Sequence, residues 1–306
     1  SGLIFGVVIG FALVFILELI DNSIKTSYDI EKKSLTVLGV IPSIGKDGST
    51  KTIKLFDLGR WFTGKKSSKE GVKRRLITKE DPRSPVSEAY RSLRTSMLYT
   101  GIDKKIKSIL VSSAGPGEGK TTTVANMAIT YANLGKKTLL IDTDLRRPVV
   151  HKIMNLDKEP GITNYLAENI KDFNELIKNT DIDNLYAVTS GIIPPNPSEL
   201  LGSRKMGELI KSLEKDWDMI LFDSPPLVAV TDATMVSKEI DSIVIVVKVG
   251  QTDKKAFEHT IQSLKNVNAP IGGVVLNAVN HKNSYGSYYY YYQYYNYYGS
   301  NDKTVT

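Results

Sequence analysis

The chain of 306 residues is 41% hydrophobic and 24% charged, the balance of a globular protein, and is long enough for one large domain or two small ones. It has no cysteine, which excludes a disulfide framework and a thiolate metal site, and its three histidines (His151, His259, His281) are too scattered for a metal-ligand spacing. The net charge of +7 points to an anionic partner, but no motif for reading nucleic acid accompanies it, so none is expected as a partner.

The first element is the uncharged run GLIFGVVIGFALVFIL, Gly2 to Leu17. It falls short of the ~20 apolar residues that span a bilayer and has no polar face, so residues 1–20 read as a transmembrane helix truncated at Ser1. Lys25, Lys32 and Lys33 follow it, and the positive-inside bias then places the rest of the chain on the cytoplasmic side of the inner or plasma membrane. Residues 21–84 read as a cytoplasmic linker with one short apolar piece, LTVLGVIPSI (Leu35 to Ile44), able to form a strand. Its basic insert, residues 46–75, carries Arg60, Lys65, Lys66, Lys69, Lys73, Arg74 and Arg75 beside Trp61 and Phe62. That insert is either a solvated linker or an anchor on anionic lipid.

From Pro85 the pattern changes. PVSEAYRSLRTSMLY is an amphipathic helix; KSILVSS and KTLLIDTD are strands on either side of the helix GKTTTVANMAITYANLG, which ends at Gly135. LYAVTSG, MILFDSP, SIVIVVKVG and GGVVLNAV supply further apolar strands, with helices such as Lys205 to Lys215 and Asp253 to Asn266 between most of them. Continuous apolar strands alternating with helices predict an α/β fold: a mainly parallel, doubly wound sheet flanked by helices, over residues 85–283. Periodicity stops after Val279, and SYGSYYYYYQYYNYYGS (Ser284 to Ser300) holds ten of the sixteen tyrosines with no Leu, Ile or Val; residues 284–306 are a separate tail.

Three segments carry chemistry. AGPGEGKTT follows a strand and opens a helix, the context of a phosphate-binding P-loop. Gly115, Gly117 and Gly119 let successive backbone N–H groups turn toward phosphate oxygens, with Glu118 and Thr122 completing the loop. Lys120 reaches the phosphates, and Thr121 offers its hydroxyl to Mg²⁺. Ala114 stands where the strict pattern has glycine. LLIDTDLRRP puts Asp142 and Asp144 at the end of one strand, and MILFDSPP puts Asp223 at the end of another, where doubly wound sheets bind ligands. Carboxylates there can hold Mg²⁺ or orient an attacking hydroxyl.

AGPGEGKTT, LLIDTDLRRP and ILFDSPP resemble the A, A′ and B motifs of bacterial protein-tyrosine kinases of capsule and exopolysaccharide co-polymerase systems. PPNPSELLGS (Pro194 to Ser203) and DNSIKTSYDIEKK with LGVIP match further segments in the family's order; the basic insert has no counterpart. The resemblance implies an ATP- and Mg²⁺-dependent kinase. In it Lys120 and Thr121 bind phosphate and metal, and Asp142 contacts the metal site and helps deprotonate the tyrosine hydroxyl. Asp144 supports the site, and Asp223 binds Mg²⁺ directly or through water. Glu88, Arg91 and Arg94 resemble the family's Glu-x-x-Arg-x-x-Arg oligomerisation motif, implying a homo-oligomeric ring. The tail tyrosines (Tyr285, Tyr288, Tyr289, Tyr290, Tyr291, Tyr292, Tyr294, Tyr295, Tyr297 and Tyr298) are then the acceptors, phosphorylated between subunits. Polysaccharide polymerisation and export machinery and a cognate phosphotyrosine phosphatase are the implied partners. Two alternatives remain at this level: a membrane-associated partitioning or positioning ATPase of the same fold, and an ATP-gated scaffold without kinase activity.

Overall fold

The computed structural model describes residues 2, 6, 10, 15, 21–43, 76–100, 105–228 and 232–279. The expected transmembrane run (those four positions apart), the basic insert and the tyrosine tail lie outside the described residues. Among the described residues no helix is long and apolar enough to cross a membrane.

In chain order the elements are α1 (Tyr28–Glu31), β1 (Val37–Pro42), α2 (Ile77–Glu80), α3 (Pro85–Thr100), β2 (Ser108–Ser113), α4 (Lys120–Ala132), β3 (Thr138–Asp142), α5 (Val150–Ile153) and α6 (Ile162–Leu166). There follow a 3₁₀ turn (Phe173–Leu176), β4 (Lys178–Asn179), β5 (Leu185–Val188), α7 (Pro197–Leu201), α8 (Arg204–Asp216), β6 (Met219–Asp223), α9 (Asp232–Ser237), β7 (Ser242–Lys248), α10 (Lys254–Asn266) and β8 (Ile271–Val279). One eight-stranded sheet has the order β1-β8-β7-β2-β6-β3-β5-β4. Every pairing is parallel except the short antiparallel β4–β5 edge.

The unbroken apolar strands follow from burial on both faces, since successive side chains point to opposite sides. In β7, Ile243, Ile245 and Val247 join one core, while Val244 and Val246 join the other. Strands β2 and β6 divide in the same way: Leu110, Ile220 and Phe222 to the first core, Ile109, Val111, Met219 and Leu221 to the second. The first core is covered by the apolar stripes of α8 (Met206, Leu209, Ile210, Leu213) and α10 (Phe257, Ile261, Leu264). Ser203 and Asp253 start those two helices by accepting from the N–H groups of Met206 and Ala256. The second core lies beneath α3 and α4, with Tyr90, Leu93 and Met97 of α3 packed on it.

Residues 21–43 depart from a linker. Strand β1 pairs in parallel with β8, and Ile24, Ile30, Leu38 and Ile41 are buried. The segment before β1 is stitched to the turn after β7: Ile24 N–H donates to the Thr252 carbonyl and Gly250 N–H to the Ile24 carbonyl, both at 2.8 Å. Lys254 pairs with Asp29 at 2.8 Å. Helix α2, at the other end of the expected linker, buries Ile77 and Thr78, and Thr78 donates to Asn126 of α4.

Candidate active site

Strands β2, β6 and β3 are neighbours, and their carboxyl ends carry the three chemical segments side by side. Asp142 ends β3, Asp223 ends β6, and the two are in register. The P-loop leaves β2 and enters α4. Gly117 (φ 78°) and Gly119 (φ 99°) hold left-handed backbone conformations that other L-residues resist. A side chain at Gly119 would also collide with Asn277, whose Nδ2 lies 2.1 Å from where a Cβ would stand.

Two residues outside the motif brace the loop. Asn277 of β8 donates from Nδ2 to the Glu118 carbonyl (2.8 Å). The Thr252 hydroxyl, in the turn after β7, donates to Glu118 Oε1 (2.8 Å). The Glu118 side chain is therefore folded inward and buried, and burial pushes its carboxyl up. Expected as a nucleotide-binding residue, Glu118 has only its backbone to offer there; its side chain is part of the scaffold. Neither brace carries a local sequence signal.

Lys120 is the centre of the site. Its Nζ lies 2.7 Å from Asp144 Oδ2, 3.5 Å from Asp223 Oδ1 and 3.3 Å from the Thr121 hydroxyl. Burial opposes its charge, but the surrounding carboxylates, Asp223 and Asp144 foremost, outweigh it and hold its pKa above the ordinary lysine range. Asp144 is held from its other oxygen by the Arg147 N–H (3.0 Å).

Asp142 is fully buried. Its Oδ2 accepts from the N–H groups of Val149 and Val150 (3.1 Å each), and its Oδ1 from the N–H of Asp144 (3.2 Å). The A′ segment thus wraps around its own first aspartate and starts α5 on it. Burial, then the nearby Asp223 charge, push the Asp142 carboxyl up to about 8. Asp223 is equally buried, and its pKa is raised, chiefly by burial. Neither of its oxygens has a hydrogen-bond partner of ordinary geometry, although the Lys120 charge and the Thr121 hydroxyl beside it hold the rise back. Among the described residues no three His, Cys, Asp or Glu side chains form a ready-made metal cage. The unpartnered Asp223 oxygens and the Thr121 hydroxyl nevertheless fit a hard cation that keeps waters and phosphate oxygens in its shell. Chemically, the arrangement offers a phosphate cradle, one cation at its mouth, and carboxylates able to hold a metal or take a proton.

The expected oligomerisation residues lie on α3. Arg91 donates to Glu88 within the helix (2.6 Å) and to the Pro82 carbonyl (2.6 Å). Arg94 turns onto the P-loop helix, its Nη1 donating to the Thr130 carbonyl at 2.7 Å.

Comparisons with known proteins agree with this geometry. The AAA domain family matches residues 106–272. The tyrosine-protein kinase YwqD of Bacillus subtilis is 38% identical over 206 residues, 67% of this chain and 86% of that one. The tyrosine-protein kinase CpsD of Streptococcus pneumoniae is 38% identical over 194 residues, 63% of this chain and 84% of that one. Among solved structures, the kinase domain of the Escherichia coli tyrosine kinase ETK superposes with a TM-score of 0.73 at 27% identity, covering 86% of this chain and 98% of that one. The chimerical protein CapA2B2 gives 0.70 at 33% identity, covering 83% and 99%. With a P-loop that binds ATP and a sheet that superposes on these kinases, the chain belongs to the bacterial tyrosine-protein kinases.

Proposed function

We propose that the chain phosphorylates the tyrosines of its own tail, Tyr285 to Tyr298, between subunits of a ring, and that Mg²⁺ assists. The observation that carries this reading is the cluster at the ends of β2, β6 and β3: Lys120 held among Asp144, Asp223 and Asp142, with a proton-accepting carboxyl at its edge.

Thr121 and Asp223 would hold Mg²⁺, with Asp142 beside them. When bound, the ion neutralises charge on the phosphates. The P-loop N–H groups and the start of α4 bind the phosphate tail of ATP, and Lys120 exchanges its pairing with Asp144 for the transferring phosphoryl group. Asp142 is fixed by three backbone donors and keeps a free lone pair for the phenol proton. The tyrosine oxygen forms a bond to the γ-phosphorus, the bond from that phosphorus to the bridging oxygen breaks, and the electron pair leaves with ADP.

The ring would form through Glu88, Arg91 and Arg94. Because Arg94 is bonded to the P-loop helix, a neighbour engaging α3 would be linked mechanically to the nucleotide site. Phosphates on the tail add about −1.5 to −2 charge each, and the resulting repulsion is the proposed signal for the ring to separate. The wider setting follows the resemblance to capsule and exopolysaccharide kinases. The domain works on the cytoplasmic face of the inner or plasma membrane, anchored by residues 1–20, with polymerisation and export proteins and a phosphotyrosine phosphatase as partners.

A partitioning ATPase finds less support. That class usually carries a lysine where Gly115 stands, and a Cβ at Gly115 would lie 3.1 Å from Glu118 Oε1. The test is incubation of the purified chain with Mg²⁺ and ATP, followed by mass spectrometry. Phosphotyrosine on the tail is expected; free phosphate alone, or no product, would overturn the reading.

A further inference from the structure

The segment PPNPSELLGS has no part in the chemistry described above, yet both its flanks are tied to the acidic end of the site. Strand β5 lies next to β3, with Val188 in register with Ile141, one residue before Asp142. The chain leaves β5 at Val188, passes Ile192 and Ile193, crosses Pro194, Pro195 and Pro197, and enters α7. At Ser198 it is fastened again. The Ser198 hydroxyl donates to Asp232, which is fully buried at the start of α9. Asp232 also accepts two bonds from Arg146, at 2.7 Å from Nε and 3.2 Å from Nη2. Arg146 stands two residues after Asp144.

One buried carboxylate at the start of α9 therefore joins the A′ loop after β3 to the first turn of α7, which ends the proline-rich loop after β5. The sheet order places these loops relative to the nucleotide. The P-loop is on β2, Asp223 on β6, Asp142 on β3 and the proline-rich loop on β5. At about 4.8 Å between neighbouring strands, the loop starts one strand beyond the proposed base, on the side away from the phosphates. An attacking hydroxyl has to come within reach of the proposed base Asp142, which ends the strand next to this loop. Ile192 and Ile193 stand exposed on the loop, at 51% and 53% of their surface, although three prolines limit the conformations that they sample.

We propose that Arg146 and Asp232 are positioning residues for the acceptor: through Ser198 they hold the proline-rich loop so that Ile192 and Ile193 form an apolar ledge for the tyrosine-rich segment of a second copy. The proposal rests on the kinase reading above. The occupant follows from chemistry and topology. The segment Ser284 to Ser300 offers ten aromatic rings and no charged side chain, which suits an apolar ledge and not an ionic one. It follows β8, five strand spacings from β5, or about 24 Å. In the sheet order the P-loop strand β2 lies between β8 and β5, whereas a segment from a second copy need not pass it.

The experiment uses the full chain with its ten tail tyrosines changed to serine, so that neither acceptor nor aromatic competitor remains. The acceptor is a synthetic peptide of the sequence Ser284 to Ser300. Two variants are compared with this parent, Asp232→Asn and the surface pair Ile192→Ser with Ile193→Ser. Each should raise the KM for the peptide by roughly tenfold, the effect of losing one apolar contact in a specificity site, and leave the affinity for ATP within about twofold. Combined, they should cost little more than either alone, because one acts through the other. A fall in kcat with an unchanged peptide KM, or a loss of ATP affinity in step with KM, overturns the proposal. Should Asp232→Asn not fold, the surface pair decides alone. A parent that puts no phosphate on the peptide overturns the kinase reading itself, and the ledge with it.

Discussion

Replacing Asp223 by asparagine should make the ligand-free protein more stable and, at the same time, unresponsive to Mg²⁺ and ATP. The carboxylate is fully buried, neither oxygen accepts a hydrogen bond of ordinary geometry, and its nearest cation, Lys120 at 3.5 Å, is closer to Asp144 at 2.7 Å. An amide there removes a buried, poorly compensated charge and leaves Lys120 its better partner. The amide keeps unpaired polar atoms, so the gain comes from the removed charge alone, about 1.4 kcal/mol for each unit by which burial raises the Asp223 pKa. At about 2–4 °C per kcal/mol for a domain of this size, the melting temperature should rise by several degrees. The sign with pH follows from the raised pKa: between the ordinary aspartate range and its folded value the folded state binds the extra proton, so wild-type stability falls as pH rises through that window. The gain from Asp223→Asn should therefore be larger near pH 8 than near pH 5. Scanning calorimetry measures both. Saturating Mg²⁺ and ATP, which stabilise the wild type by mass action, should do little for the variant. A variant that melts lower than wild type, or that gains as much from Mg²⁺ and ATP, would refute the assignment of Asp223 as a strained metal ligand.

Lys120→Met should fold and lose phosphotyrosine by about 10²–10³ in rate, read by antibody or mass spectrometry, since one charged transition-state contact is removed. For wild type, kcat/KM for ATP should climb as pH rises through about 8 if Asp142 acts as the proposed base, since it must be ionised to take the phenol proton. Asp142→Asn should flatten that climb. Glu88→Ala with Arg91→Ala gives up a half-exposed pair within one helix, worth only ~0.3–0.5 kcal/mol to the fold, yet should shift sedimentation toward monomer and lower labelling. An assembled variant would remove α3 from the interface.

How far the sequence reveals this molecule depends on how local each signal is. Strands β2, β3, β6 and β7 are apolar runs bounded by turns, and their motifs sit at the ends, so the sheet and the order of loop, aspartate pair and single aspartate are legible. Strand β1 is readable as a strand, in LTVLGVIPSI, but its place in the sheet is not: it is six residues long, only half of them buried, and its partner β8 lies more than 200 residues away, so it reads as part of a linker. The braces of the P-loop are hidden for the same reason: Asn277 and Thr252 are 159 and 134 residues from Glu118. A polar residue at the end of an apolar strand is common, and nothing in the sequence says which loop it will meet. Glu118 itself, inside a phosphate-binding motif, reads as a ligand contact; only the packed structure shows its side chain facing the other way.

The accessibility of the phenols gives the acceptor assignment a further test. Of the sixteen tyrosines, ten are in the tail, and the remaining six are Tyr28, Tyr90, Tyr99, Tyr131, Tyr165 and Tyr186. Tyr90 of α3 and Tyr131 of α4 face into the second core, where burial drives their pKa far up, and no active site can reach them without unfolding that core. Tyr165 and Tyr186 are half-buried and packed edge-on against Phe173 and Trp217. Tyr28 and Tyr99 stand 67% and 72% exposed. Deleting Ser284 to Thr306 should thus remove most phosphotyrosine but not all of it, and the remainder should map to Tyr28 and Tyr99. The deletion should leave thermal stability nearly unchanged, since the tail has no aliphatic residue before Val305 with which to join a core. In the full chain, repulsion between exposed phosphates amounts to a few tenths to ~1 kcal/mol each, so several would be needed before the proposed ring separates. One Tyr→Phe change in the tail should hardly matter, and all ten together should keep the ring assembled in ATP. If labelling in the deleted protein instead appears on Tyr90 or Tyr131, the domain opens far more than its packing implies. If a single tail tyrosine controls assembly, cumulative charge is the wrong physics for the switch.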